Sequence, residues 1–116
     1  MPVPVLKQGD VLIASVQAAL SDKDLAQLRE DLADRVGRYR ARGVIIDVAA
    51  LDVLDSFAAR TVRGIAYSTR LRGARTVVVG IQPDVAYAMV QLGLSLDDIA
   101  TALDVEEGLA LLRTTA

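Results

Sequence analysis

The segment LDVLDSFAARTV (residues 51–62) holds two aspartates, Asp52 and Asp55, followed at once by Ser56, with Arg60 four residues on. Two kinds of chemistry suit these residue types. With Asp47, the aspartates could gather a hard, oxygen-ligated Mg²⁺. Alternatively, the serine hydroxyl could accept a phosphoryl group. Position argues against the metal. Asp47 interrupts an otherwise apolar strand, and Asp52 and Asp55 stand where loop and helix-cap residues are ordinary. Ser56 opens a segment with helical spacing, so local physics first makes it a helix N-cap. A phosphate on it would nevertheless meet free backbone N–H groups and the positive end of the helix dipole. Arg60 lies on the same helix face, within reach of such a group. About two negative charges would then join Asp52 and Asp55. A partner would meet a changed surface on an unchanged fold.

The rest of the chain offers little for catalysis. It contains no Cys and no His, so a thiolate nucleophile, the usual general base and the commonest metal ligand are all missing. Serine-hydrolase triads of the familiar kind cannot be assembled. No glycine-rich loop followed by Lys cradles a phosphate, which excludes a P-loop. We assign neither a cofactor site nor a metal site. Aromatics are 3% of residues, too few to build stacking platforms for single-stranded nucleic acid. The net charge of -2 and a pI of about 5.0 give no long-range pull toward phosphate backbones or anionic lipid. No apolar run approaches the roughly 18 residues that span a bilayer. The start, MPVPVLKQGD, lacks the apolar core of a signal peptide. The expectation is a cytoplasmic protein that binds neither nucleic acid nor membrane.

What positions Ser56 is one α/β domain over residues 1–116, with 53% hydrophobic residues to fill its core. Residues 3–7 and 10–16 read as two strands joined through Gln8-Gly9, with Pro2 and Pro4 suited to an edge. Ser21 caps a first helix, with Asp22 and Asp24 in its first turn. Leu25, Leu28, Leu32, Val36 and Tyr39 form its apolar stripe, and Gly43 ends it. Arg35, Arg38, Arg40 and Arg42 crowd that end. They read first as charge complementing a helix C-terminus, and alternatively as a basic patch for a partner. VIIDV (44–48) and TVVVGI (76–81) are nearly continuous apolar runs, as expected of strands covered on both faces. The helix between them, Ser56 to Leu71, makes a right-handed parallel crossover. Its Ala58, Val62, Ile65 and Ala66 should face the sheet, with Arg60, Arg63 and Arg70 toward solvent or a partner. Gln82-Pro83-Asp84 starts a third helix with Val85, Ala86, Met89 and Leu92 inside and Gly93 as its cap. DIATALD (98–104) holds a last short strand. Asp104 and Glu107 form a capping-box variant on a fourth helix, with Val105, Leu109 and Leu112 inward. The sum is about five strands in a mixed sheet with four helices.

Over nearly its whole length this pattern resembles the STAS domain, the fold of bacterial anti-sigma-factor antagonists. The most specific piece is GVIIDVAALDVLDSF (43–57), which is similar to the family's strand, loop and Asp-Ser helix start. Simple antagonists usually continue Ser-Gly or Thr-Gly, whereas this chain has Phe57 and Ala58. That departure, with GARTVVVGIQPDVAYAMVQLGL (73–94), looks more like the RsbS-type stressosome scaffolds. The resemblance places the family's phosphorylated serine on Ser56; Asp52, Asp55 and Arg60, which surround it, are expected to bind the partner. It implies a non-enzymatic scaffold that sequesters a switch serine/threonine kinase of the RsbT type until that kinase phosphorylates it. It further implies homo-oligomers and co-assembly with sensor-bearing paralogues of the RsbR type, with ATP bound by the kinase. Those paralogues carry a large N-terminal sensor domain, for which these 116 residues leave no room. The alternatives are a simple antagonist of an anti-sigma kinase and, less favoured, a small metal-dependent α/β enzyme.

Overall fold

The computed structural model describes residues 3–17, 20–96 and 99–114. Nine elements alternate along the chain: β1 (Val5–Gln8), β2 (Val11–Ser15), α1 (Asp22–Tyr39), β3 (Gly43–Asp47), α2 (Ser56–Leu71), β4 (Arg75–Val79), α3 (Pro83–Gln91), β5 (Ala100–Ala102) and α4 (Val105–Thr114). The strands form one mixed sheet in the order β1-β2-β3-β4-β5. β1 is antiparallel to β2, and the remaining pairs are parallel, in register Val11↔Gly43, Gly43↔Arg75 and Val77↔Ala100. Each parallel pair requires a helical crossover, so each helix starts where a strand ends.

Period two along the central strands divides their side chains between two cores. Leu12, Val44, Ile46 and Val78 face α1, α2 and α3, meeting Leu28, Leu32, Val36 and Ile65. Ile13, Ile45, Val77 and Val79 face the other way, against Val105, Leu109, Leu111 and Leu112 of α4. That double burial is why β3 and β4 read as unbroken apolar runs. Gly108 lets α4 come close. A Cβ there would lie 2.9 Å from the Val79 side chain and 3.3 Å from that of Ile45.

Several local expectations are corrected by the backbone. The two-residue connection between β1 and β2 is Gly9-Asp10, because Gln8 still pairs with Val11; Gly9 takes a φ of +62°. Pro2 lies outside the described residues, and the Pro4 carbonyl accepts from the Ser15 amide at 3.1 Å. The first helix is capped by Ser21, whose hydroxyl accepts from Asp24 N–H, but it is not stopped by Gly43. Arg40 turns left-handed at φ +52°, and the Ala41 amide returns to the Val36 carbonyl. Gly43 instead opens β3, where a side chain would collide with Leu112. Tyr39 leaves the stripe and is exposed, its ring under Lys7 and Arg38 at 5.9 and 6.0 Å. In α3, Val85 and Met89 are buried while Ala86 and Leu92 are exposed. The helix ends at Gln91, and the left-handed turn at Gly93 returns the Leu94 amide to the Met89 carbonyl. Leu94 therefore packs on the core in place of Leu92.

The α2 face is likewise turned slightly from the expected one. Ala59, Val62, Ile65 and Thr69 are buried, whereas Ala58 and Ala66 are half-buried. Thr69 makes that burial tolerable by donating to the Ile65 carbonyl and sharing a 2.9 Å bond with the Thr76 hydroxyl. Ile65 is fully buried. Ile65→Asp places an unpaired carboxylate there and should cost about 3 kcal/mol or more. Urea unfolding of the variant checks this, and an unchanged midpoint would refute the packing assignment.

Candidate functional site

The site begins where β3 ends. Asp47 Oδ1 accepts from the Ala49 amide at 2.9 Å, and the Val48 amide donates to the Val79 carbonyl at 3.0 Å. The chain then leaves the sheet as a loop anchored by two buried leucines, Leu51 and Leu54. Asp52 and Val53 between them are exposed. Alternating anchors and exposed residues hold this loop without secondary structure.

The helix cap is Asp55, not Ser56. Asp55 is extended (φ -80°, ψ 178°); its Oδ1 accepts from the Ala58 amide at 2.8 Å, and its carbonyl accepts from the Ala59 amide at 2.9 Å. Of two adjacent residues able to cap, the one with extended backbone does so, and the next becomes the first helical residue. Ser56 is thus exposed, and among the described residues nothing hydrogen-bonds its hydroxyl. The Ser56 and Phe57 amides of the first turn also keep no acceptor there, as helix geometry dictates.

A second strand-end loop braces the first. The Gln82 side-chain amide donates to the Ala49 carbonyl at 2.8 Å. Gly80, at φ +81°, brings β4's exit beside Ala49, whose backbone would lie 3.2 Å from any Cβ placed at Gly80. The Gly80 amide also donates to the Ala102 carbonyl, joining the exits of β4 and β5. Neither contact was visible in the sequence; a glycine directly after an apolar strand was the only local signal.

The sequence-derived site residues are partly brought together. Asp52, Asp55 and Ser56 share one exposed rim. Arg60 is exposed one turn along α2, its guanidinium 6.0 Å from the Phe57 ring centre, and it pairs with neither aspartate. Asp47 and Asp55 are turned onto separate backbone amides, and among the described residues no three acidic side chains converge as metal ligands. Arg63 is not simply at the surface. It is half-buried and donates to the Ser95 carbonyl at 2.6 Å, tying α2 to the segment after α3.

The family model for the STAS domain matches residues 3–108. The chain belongs to the STAS domain family. Its fold is similar to that of a serine-to-glutamate variant of RsbS from Moorella thermoacetica, with a TM-score of 0.82 and 33% identity over 96% of this chain and 94% of that one. A chain from the molecular architecture of the stressosome, described as a signal integration and transduction hub, gives 0.77 and 32% over 95% and 96%. The RsbT co-antagonist protein RsbRA of Bacillus subtilis (strain 168) is 24% identical over 92% of this STAS chain, which spans 38% of that relative's length. The five-stranded mixed sheet with four helices is the STAS fold. Among the described residues no helix is long and apolar enough to cross a membrane.

The division of labour between Asp55 and Ser56 can be measured. Asp55→Ala should cost about 1 kcal/mol through the lost cap. Ser56→Ala should stay within about 0.5 kcal/mol of the parent, as exposed positions do. Equal losses in denaturant unfolding would return the cap to Ser56.

Proposed function

We propose that this chain is a non-enzymatic stressosome scaffold of the RsbS kind, working in the cytoplasm. In this reading it holds a switch serine/threonine kinase of the RsbT type until that kinase phosphorylates Ser56. The observation that carries it is an exposed serine hydroxyl at a helix start whose cap is already supplied by Asp55. The similarity to RsbS and to a stressosome chain over nearly the whole length supports the same reading.

The chemistry follows from the rim. The Ser56 oxygen attacks the γ-phosphorus of ATP held by the kinase, ADP leaves, and the hydroxyl proton passes to a base on the kinase. The new phosphate finds the Ser56 and Phe57 amides and the positive end of α2. It therefore leaves the fold in place. Recognition changes instead, because the kinase now has to desolvate a dianion beside Asp52 and Asp55. Val53, exposed between those aspartates, supplies the apolar contact that the unmodified rim offers a partner. Among the described residues Arg60 makes no ion pair, and it lies within one turn of the phosphate, so it receives part of the new charge. Assembly with sensor-bearing RsbR-type paralogues and with further copies of this chain rests on the likeness to RsbRA and to the stressosome chain.

Incubation with the cognate kinase and ATP, followed by mass spectrometric mapping, should place the phosphate on Ser56 and leave Ser56→Ala unlabelled. Label on another residue defeats the assignment. Ser56→Asp should fold normally and bind the kinase about tenfold more weakly, as an added interfacial charge predicts. Sedimentation should show species larger than a monomer, growing further with an RsbR-type paralogue. A persistent monomer in both samples leaves the simple antagonist as the better reading.

A further inference from the structure

The two ends of the sheet differ in charge. At the end where the parallel strands finish, the first turns of α1, α3 and α4 carry Asp22, Asp24, Asp84, Glu106 and Glu107. At the opposite end the last turns of α1, α2 and α4 carry Arg38, Arg70 and Arg113, and Arg75 opens β4. Helix dipoles favour charges of these signs. They do not explain a concentration of arginine around one hollow.

Between the C-terminal half of α2 and the first residues of β4 and β5 lies a cleft of about 340 Å³. Arg63, Arg70 and Arg75 line it, with Tyr67, Thr76 and Ile99. Arg63 is held in place by its bond to the Ser95 carbonyl. Arg70 leans on the Tyr67 ring, 6.0 Å from its centre. Arg70 and Arg75 are exposed, and among the described residues none of the three meets a carboxylate. Like charges around one cleft repel, and this happens in a chain whose net charge is -2. An anion relieves the repulsion, and planar guanidinium forks match the oxygens of phosphate.

We propose that this cleft is a binding site for a phosphate dianion, free or as a monoester, remote from Ser56 and independent of its modification. Arg70 and Arg75 grip the oxygens from the open side, and Arg63 supplies a fixed charge from the floor. The Tyr67 ring forms a wall for the organic part of an ester. The basic end of the molecule draws the anion in.

The test titrates the full ¹⁵N-labelled chain at constant ionic strength with inorganic phosphate and, separately, with O-phosphoserine. Saturable shifts should appear at the amides of Arg75, Thr76, Ile99 and Ala100 while the Ser56 amide stays still. Binding of both probes assigns the site to a phosphate monoester, and binding of phosphate alone assigns it to the free anion. Arg70→Gln/Arg75→Gln should weaken binding about tenfold or more, as lost charge-assisted hydrogen bonds predict. Arg113→Gln, at the same end but outside this cleft, should leave it intact. No saturable shift with either probe would overturn the proposal. So would equal weakening by Arg113→Gln, which would reduce the effect to diffuse attraction. Binding seen only after Asp97→Asn/Asp98→Asn, just before Ile99 in the chain, would show a cleft already neutralised from within and would overturn it too.

Discussion

Parallel pairing of β2, β3 and β4 is the constraint from which the remaining organisation follows. A parallel strand cannot be reached by a tight turn, so the chain must cross back over the sheet after each one. The crossings α1, α2 and α3 cover one face, and α4 covers the other, which seals Val44, Ile45 and Ile46 from both sides. The exits of β2, β3, β4 and β5 and every helix start then fall on one edge, while antiparallel β1 ends at the other. Ser56, Gln82 and Asp104, far apart in sequence, stand at helix starts on that edge because of topology. The same rule sends the helix ends to the opposite edge, with Arg38, Arg70 and Arg113 in the last turns of α1, α2 and α4.

On the edge that carries Ser56, the tasks of stability fall to its neighbours. Asp55 satisfies the helix, and Leu51 and Leu54 hold the loop in the core. Gln82 and Gly80 lock it to the next exit. Ser56 bears none of these tasks. A modifiable residue with no structural duty can change charge without a cost to folding, which is what a reversible switch of recognition needs. A serine that capped its own helix would have to give up that bond on modification.

The strongly periodic parts of the fold were legible in the sequence. The bounds of α2, the apolar runs of β3 and β4, the Ser21 cap and the Asp104–Glu107 capping box all have local causes, and the structure has them where expected. The misreadings have other causes. Whether Asp55 or Ser56 caps depends on which has extended backbone, and both residue types are competent. Gly43 resembled a helix stop, yet its small size serves Leu112, a residue almost seventy positions away. Leu92 matched the apolar spacing of α3, but the turn at Gly93 gave its place to Leu94. Arg63 was assigned to solvent or a partner protein, because the Ser95 carbonyl that it meets belongs to a distant segment of the chain. Tertiary contact, which a local pattern does not encode, decided Gly43 and Arg63, whereas backbone conformation decided the cap and the end of α3.

The rim also explains why phosphorylation here should act through charge and not through movement. A phosphate restructures a segment when it can recruit distant arginines or break a bond already present. Among the described residues nothing hydrogen-bonds the Ser56 hydroxyl, and Arg60 already sits one turn away on the same helix. The loop beneath is held by buried Leu51 and Leu54 and by the Gln82–Ala49 bond. Most of the remaining arginines stand at the other end of the sheet, beyond direct pairing with a charge on Ser56. In the proposed function, a dianion added to Ser56 would therefore remain an exposed charge beside Asp52 and Asp55. It is weakly stabilised by the first turn of α2 and costly for any partner that must strip its water.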